Sequence, residues 1–382
     1  MFSLAWTIGR VRGIPVRLHV SLLLVIPLIA MSVARDSLPF VLSNMGLSAS
    51  DLNLPAELLG LVLAIALFAG IAAHEFGHAL VALRQGGHVR QITLMVLGGV
   101  TELEHDRATP WQQVWMAFAG PLVSGLLALA SGLLSLVPSL PIDAVALLRI
   151  FGLMNLMLAL FNLIPAYPLD GGRILRGLLA LRLEPLRATR IAALVGRGFA
   201  LLGVALAITH RDPMLLLLSG YIFFGASMDE TATRMRHGLV GLRARQAMAG
   251  RVATVSPDTP LHAVARHMLF LGASVALVRD LTGVKGVLTV REVGQGGERT
   301  ASEVLSGPAL FAHPDEELSV VARGMQHSAR SGTVVVDDMN TILGVVTWEE
   351  LARAVALRAG ADSVPSVASA SPSEHARADE RG

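Results

Sequence analysis

LLGLVLAIALFAGIAAHEFGHALVAL, residues 58–83, decides how the chain is read. Sixteen apolar or small residues, Leu58 to Ala73, lead into His74-Glu75-Phe76-Gly77-His78. The whole stretch 58–83 exceeds the roughly 20 residues a helix needs to cross hydrocarbon. On a helix, positions i and i+4 share a face, so both imidazoles reach one ion, and the adjacent Glu75 is placed to take a proton from an attacking water. A charged side chain at the membrane centre costs roughly 2.5 to 3.5 kcal/mol, so three ionisable groups together imply an ion or partner that offsets the cost. The bland alternative is two satisfied histidines and a glutamate in a helix bundle. It suits a soluble protein better than an apolar span.

The same apolar bias runs through much of the chain. Of 382 residues, 53% are hydrophobic and 16% charged, against about one-quarter charged in an ordinary soluble domain. Mean hydropathy is +0.59. A formal net charge of +2 gives no basic excess on the scale that nucleic acid requires, and the length allows two or three domains. There is no cysteine. Disulfides, thiol catalysis, iron–sulfur clusters and cysteine-bound zinc are thereby excluded, which leaves histidine and carboxylate as metal ligands.

The hydrophobicity concentrates between Leu18 and Ala226. Six spans are expected: Leu18 to Ala34, Leu58 to Leu83, Val114 to Val137, Ala144 to Ile164, Ile191 to Thr209 and Met214 to Ser227, the last being short. Short cytoplasmic loops retain Lys and Arg. Arg10, Arg12 and Arg17 precede the first span, Arg84, Arg90 and Arg107 follow the second, Arg173 to Arg190 follow the fourth, and Arg234 to Arg245 follow the sixth. The opposite loops hold Arg35 and Arg211. Both termini are therefore expected in the cytoplasm. A signal-peptide reading of the first span meets His19, Ser21 and Pro27, which suit a packed helix better.

A hydrolytic zinc site keeps three protein ligands and one open position. Asp170 is the best third candidate, in Asn162-Leu163-Ile164-Pro165-Ala166-Tyr167-Pro168-Leu169-Asp170-Gly171-Gly172-Arg173 at the cytoplasmic end of the fourth span. Pro165 and Pro168 break the helix there, and Gly171 and Gly172 permit tight turns that swing a carboxylate towards a neighbouring helix. The second and fourth spans run in the same direction, so both motifs fall in their cytoplasmic halves.

HEFGH within a span, followed by NxxPxxPLDGG, resembles the site-2 protease family of intramembrane zinc metalloproteases. The resemblance covers roughly residues 8 to 230, including Gly13 to His19 and Ala119-Gly120-Pro121-Leu122. It implies one zinc ion per chain on His74, His78 and Asp170, Glu75 as general base, and Asn162 holding substrate or shaping the site with Pro165 and Gly171. It further implies that Val89 to Glu104, with Leu97-Gly98-Gly99-Val100, forms a sheet dipping into the membrane, where an edge strand pairs with an unwound substrate helix. The alternative is a purely structural loop. Among other polar residues in spans, Arg149 and Arg197 are expected to snorkel, and His19 and Asn155 to bond between helices.

Residues 254 to 357 repeat internally. Ser256-Pro257-Asp258 matches His313-Pro314-Asp315, and Gly286-Val287-Leu288-Thr289-Val290-Arg291-Glu292 matches Gly344-Val345-Val346-Thr347-Trp348-Glu349-Glu350. The two units resemble a cystathionine-β-synthase-type (CBS) domain pair. That resemblance implies an adenine nucleotide near Thr289, Glu292, Thr347 and Glu350, with glutamate standing where the family places a ribose-binding aspartate. Against this stands a pair that dimerises or packs without ligand.

The expected architecture is a polytopic α-helical membrane protein of about six transmembrane helices with a small membrane-associated β segment, followed by a soluble α/β CBS pair. Its boundaries are a protease domain 1–230, a linker 231–250, CBS repeats 251–298 and 299–357, and a disordered tail 358–382. The expected function is cleavage of transmembrane segments of membrane-held regulatory proteins, gated by nucleotide. The rivals are a CBS-regulated metal transporter and a homologue that binds membrane helices without cutting them. A transporter needs binding positions at several depths, whereas these ligands sit at one.

Overall fold

The computed structural model describes residues 5–46, 48–95, 98–104, 108–295 and 297–362. Leu97, Arg107 and the expected tail from 363 onwards lie outside these residues. The chain divides into two compact units, Met1–Thr231 and Ala232–Gly382.

The first unit opens with two antiparallel strands, β1 (Ala5–Val11) and β2 (Ile14–His19). The expected first span therefore begins too early. Ile-Pro-Val-Arg-Leu-His alternates its burial as a strand does, and His19 ends β2, its Nδ1 lying 2.9 Å from the Ser21 hydroxyl. The apolar helix starts afterwards, as α1 (Leu22–Ser32), a π-helical turn (Val33–Ser37) and α2 (Leu38–Asn44). Then come α3 (Ala56–Arg84), the hairpin β3 (His88–Met95) and β4 (Gly98–Glu104), α4 (Pro110–Leu134) and α5 (Ile142–Asn162). They are followed by α6 (Asp170–Leu179), α7 (Pro185–His210) and α8 (Pro213–Leu239).

Among the described residues, five helical segments are long and apolar enough to cross a membrane: Leu22–Asn44, Ala56–Arg84, Pro110–Leu134, Ile142–Asn162 and Pro185–His210. The expected sixth is not among them. Its apolar part, Met214 to Ser227, is short, and α8 runs straight on into Asp229, Glu230, Arg234 and Arg236. The helices are apolar on their outward faces as well as inside. Leu126, Leu129 and Leu133 of α4 are all exposed, which fits a hydrocarbon surround.

Inside the bundle, Val33, Leu38, Leu42, Leu59, Leu63, Ala146 and Ile150 form one core and Ile14, Leu22, Phe68, Ala79, Ile92 and Leu94 another. The second joins the sheet to α1 and α3. The sheet order is β1-β2-β3-β4, with β2 and β3 parallel and β3 and β4 antiparallel, which leaves β4 at one edge. Arg197 does not snorkel. It pairs with the buried Glu230 of α8, and Arg190 Nε lies 3.9 Å from the same carboxylate. Arg149 is exposed, and Asn155 is fully buried, where its amide donates to the Phe151 carbonyl of its own helix at 3.0 Å.

The second unit contains α9 (Ala244–Ala247), β5 (Val252–Val255), α10 (Leu261–Leu271), β6 (Val275–Asp280), β7 (Gly283–Thr289) and α11 (Val290–Gln295). The same pattern returns as α12 (Ala301–Val304), β8 (Leu310–Ala312), α13 (Leu318–His327), β9 (Gly332–Val336), β10 (Ile342–Thr347) and α14 (Trp348–Asp362). Each repeat builds a three-stranded sheet, β5-β6-β7 and β10-β9-β8, and Val275, Leu277, Val287, Val334 and Val345 form a core common to both.

The expected boundaries shift here for a packing reason. Ala244 and Ala247, inside the expected linker, are buried against the second repeat, while Ala301 and Val304 of α12 pack into the first. Each lead-in helix thus closes the core of the other repeat, and α14 continues to Asp362, beyond the expected start of the tail at 358.

Candidate metal centre

The site is built on α3, which holds its apolar sequence in one continuous helix and places His74, Glu75 and His78 in its C-terminal half. Facing it is α4, started by a capping box between Thr109 and Gln112 with Pro110 at the first turn. The third contribution comes from the segment after α5. Residues 163–169 form turns, and α6 begins at Asp170. Pro165 lies in this connection as expected. Gly171 and Gly172 act otherwise than expected: both lie in the first turn of α6, and a Cβ would fall 2.3 Å from the Ile164 carbonyl oxygen at 171 and 2.6 Å from Ala166 at 172. They are needed for close approach, which brings Asp170 under α3.

His74, His78 and Asp170 are buried to 4, 4 and 6% exposure. Their nearest ligand atoms lie within 4.8 Å of one another, and Asp170 Oδ2 is 3.1 Å from His74 Nε2 and 3.2 Å from His78 Nε2. Ligand atoms about 2.0–2.1 Å from a tetrahedral zinc ion are about 3.3 Å apart, so these spacings suit such an ion. Outer partners fix both rings. His78 Nδ1 lies 2.7 Å from the Met116 carbonyl oxygen, which can only accept, so Nδ1 carries the hydrogen and donates. The lone pair of a neutral His78 is then on Nε2, facing a carboxylate oxygen, an arrangement that a metal cation between them satisfies. His74 Nδ1 is 2.9 Å from the Ser124 hydroxyl.

The room for an ion is kept by Gly120 of α4. A Cβ there would sit 2.2 Å from His78 Nε2 and 2.5 Å from His74 Nε2, in the space beside both nitrogens. Donor types, spacing and free space all fit a single zinc ion.

Glu75 is half-buried beside this cluster, and the Thr101 hydroxyl of β4 donates to its Oε2 at 2.5 Å. Gly99 lies against the same side chain, where a Cβ would fall 2.3 Å from Glu75 Cγ, and Gly98 starts β4 with φ +118°. Asn162 ends α5 and donates to the Leu158 carbonyl of its own helix at 3.0 Å. Ser124, Gly120, Thr101 and the Met116 carbonyl belong to the site but carry no motif. Only the Ala119-Gly120-Pro121-Leu122 stretch points towards one of them in sequence.

In the CBS unit the expected ligand residues bond to one another. Glu292 Oε2 accepts from the Thr289 hydroxyl at 2.9 Å and from its backbone N–H at 2.7 Å, while Oε1 accepts from Ser331 of the other repeat at 2.7 Å. Arg330 donates to the Ser306 carbonyl and lies over Gly307, where a Cβ would meet its guanidinium. In the second repeat, the Glu350 backbone N–H donates to Thr347 Oγ1 at 3.4 Å and its carboxylate pairs with Arg353.

Residues 62–140 and 137–203 match Peptidase family M50, and residues 301–357 match the CBS domain. A zinc metalloprotease of Methanocaldococcus jannaschii is 27% identical over 352 residues, covering 91% of this chain and 95% of the relative. The solved site-2 protease of the same organism is 32% identical, with 59% of this chain and 95% of that chain covered and a TM-score of 0.43. A solved CBS domain pair in complex with 5′-methylthioadenosine and S-adenosyl-L-methionine is 22% identical, covering 31% of this chain and 98% of that one, with a TM-score of 0.27. On the family matches and the identity along nearly all of the archaeal site-2 protease, this chain belongs to peptidase family M50, as a multi-pass membrane zinc metalloprotease of the site-2 type with a C-terminal CBS pair.

Proposed function

We propose that this protein cuts transmembrane segments of other membrane proteins near the cytoplasmic face, with zinc held by His74, His78 and Asp170 and Glu75 as general base. The observation that carries the reading is the convergence of three buried ligand atoms, 3.1 and 3.2 Å apart along the Asp170 edges, beside a half-buried carboxylate on a helix long enough to span the bilayer. When bound, zinc polarises a carbonyl oxygen and lowers the pKa of a water to about 7. Glu75 takes the proton of the attacking water and returns it to the leaving amine. Ser124 and the Met116 carbonyl hold the imidazoles so that Nε2 faces the shared point. A transmembrane helix hides its carbonyls in its own hydrogen bonds, so a substrate must unwind before hydrolysis. β4, at the edge of the sheet and in contact with Glu75, offers an extended chain backbone to pair with.

Both termini are assigned to the cytoplasm by the arginine bias, and this parity requires α8 to cross as well. Membrane-held regulatory proteins are the substrates of this reading. For the CBS pair, adenine nucleotide gating rests on the CBS fold, with Glu292 and Arg330 bonded within the unit as it stands. A homodimer through the CBS domains rests on the same fold.

The test combines metal and cleavage. Asp170→Ala should lose zinc from the purified protein, measured by elemental analysis. Glu75→Gln should keep zinc yet fail to cleave a tagged single-span membrane protein that the wild type cuts. Zinc retained in the first variant overturns the ligand set, and undiminished cleavage by the second overturns the base.

A further inference from the structure

Beside the candidate metal centre a short hydrogen bond links the sheet to α3, from the Thr101 hydroxyl of β4 to Glu75 Oε2 at 2.5 Å. We propose that Thr101 is a positioning residue that fixes the carboxylate of Glu75 for proton transfer, so that the substrate-pairing strand and the base form one mechanical unit. The inference rests on the assignment of Glu75 as general base.

Three observations carry it. Glu75 is an unbranched side chain whose carboxylate would otherwise sample several rotamers, and the lost freedom must be offset by a partner. Thr101 is β-branched and stiff at χ1, and its backbone is held in register opposite Ile92 of β3, so its hydroxyl is a rigid donor. At Gly99, two residues earlier on the same strand, any Cβ would fall 2.3 Å from Glu75 Cγ and 3.0 Å from Oε1, so glycine there lets the carboxylate lie against the strand. Because Thr101 occupies Oε2, Oε1 becomes the oxygen that meets the attacking water. β4 is also the sheet edge, so an extended chain added to it runs alongside the strand that orients the base.

The experiment uses the full-length zinc-loaded protein in detergent and a tagged single-span membrane protein whose cleavage position is fixed by mass spectrometry. Thr101→Val keeps the shape of the side chain and removes the donor; Thr101→Ser keeps the hydroxyl. The expected result is a fall in kcat of about tenfold to a hundredfold for the valine variant, with little change in KM. Zinc content should stay at the wild-type level, and the serine variant should recover most of the rate. A valine variant with wild-type kcat overturns the proposal. So does a serine variant as slow as valine, because packing rather than the hydroxyl would then be responsible. Glu75→Gln is measured beside them. Wild-type cleavage by that variant removes the base assignment and the proposal with it, whereas an inactive Glu75→Gln with a fully active valine variant removes the positioning role alone.

Discussion

The membrane unit and the CBS unit both gather histidines, carboxylates or hydroxyls at a site, and they dispose of them in opposite ways. Around His74, His78 and Asp170 the polar atoms converge on a shared point kept open by Gly120, and the outer partners turn the rings towards it. Around Glu292 the carboxylate is satisfied by Thr289 and Ser331, and Arg330 lies across the adjoining cleft. The first arrangement sets two imidazole nitrogens against one carboxylate oxygen at spacings that also suit a shared ion, whereas the second closes on itself through hydroxyl and amide donors. What sets the first cluster apart is the room that Gly120 keeps beside both Nε2 atoms, room that no residue with a side chain would leave.

The sharpest way to break this contrast is to fill the open point. Gly120→Ala improves helix propensity but places a methyl group 2.2 and 2.5 Å from the two Nε2 atoms. Zinc content and cleavage should both fall to background, with α4 intact by circular dichroism. A fully metallated Gly120→Ala protein would show that the space beside the two Nε2 atoms is not where the ion sits. A smaller effect tests orientation alone. Ser124→Ala leaves His74 Nδ1 without its partner, and zinc affinity, measured by competition with a chelator, should weaken by about 10- to 100-fold. Unchanged affinity would mean that the ring is held by packing.

The mildest expected effect is on the latched side. Glu292→Ala frees Thr289 and Ser331 and should lower the stability of the CBS unit by about 1–2 kcal/mol, read from hydrogen exchange of β6 and β7 in the full chain, while zinc content stays constant. Titrating wild type and variant with ATP, ADP and AMP then separates a latch from a lock. Binding that improves in the variant identifies Glu292 as a latch, and equally flat titrations identify a structural tie.

The clustering of His74, His78 and Asp170 was legible in the sequence because two of them lie one helical turn apart and the third sits in an unusual Pro- and Gly-rich break. The pattern is local, and so it survives without coordinates. Ser124 and Thr101 were not legible. Each meets its partner across a tertiary contact, 50 residues away for His74 and 26 for Glu75, and neither residue type is rare. The start of the first span, expected at Leu18, was misplaced because the end of β2 and the two-residue turn after it run directly into the apolar helix that starts at Leu22. The linker was misread for a related reason. Ala244, Ala247 and Ala301 are small and sit among charged residues, and only packing reveals that each closes the core of the neighbouring repeat. The sixth span was the least legible, because α8 runs on past its short apolar part into charged residues.

The two zinc-facing imidazoles differ in how they withstand mutation. His78 is steered by the main-chain carbonyl of residue 116, which every amino acid supplies, so drift at that position leaves its tautomer and direction untouched. His74 is steered by a side-chain hydroxyl, which a single base change can delete. Half of the centre is thereby insulated from sequence variation on α4 and half is exposed to it. Substitution of the side chain at position 116 should therefore leave metal binding unchanged, while position 124 should tolerate only residues that can hydrogen-bond an imidazole.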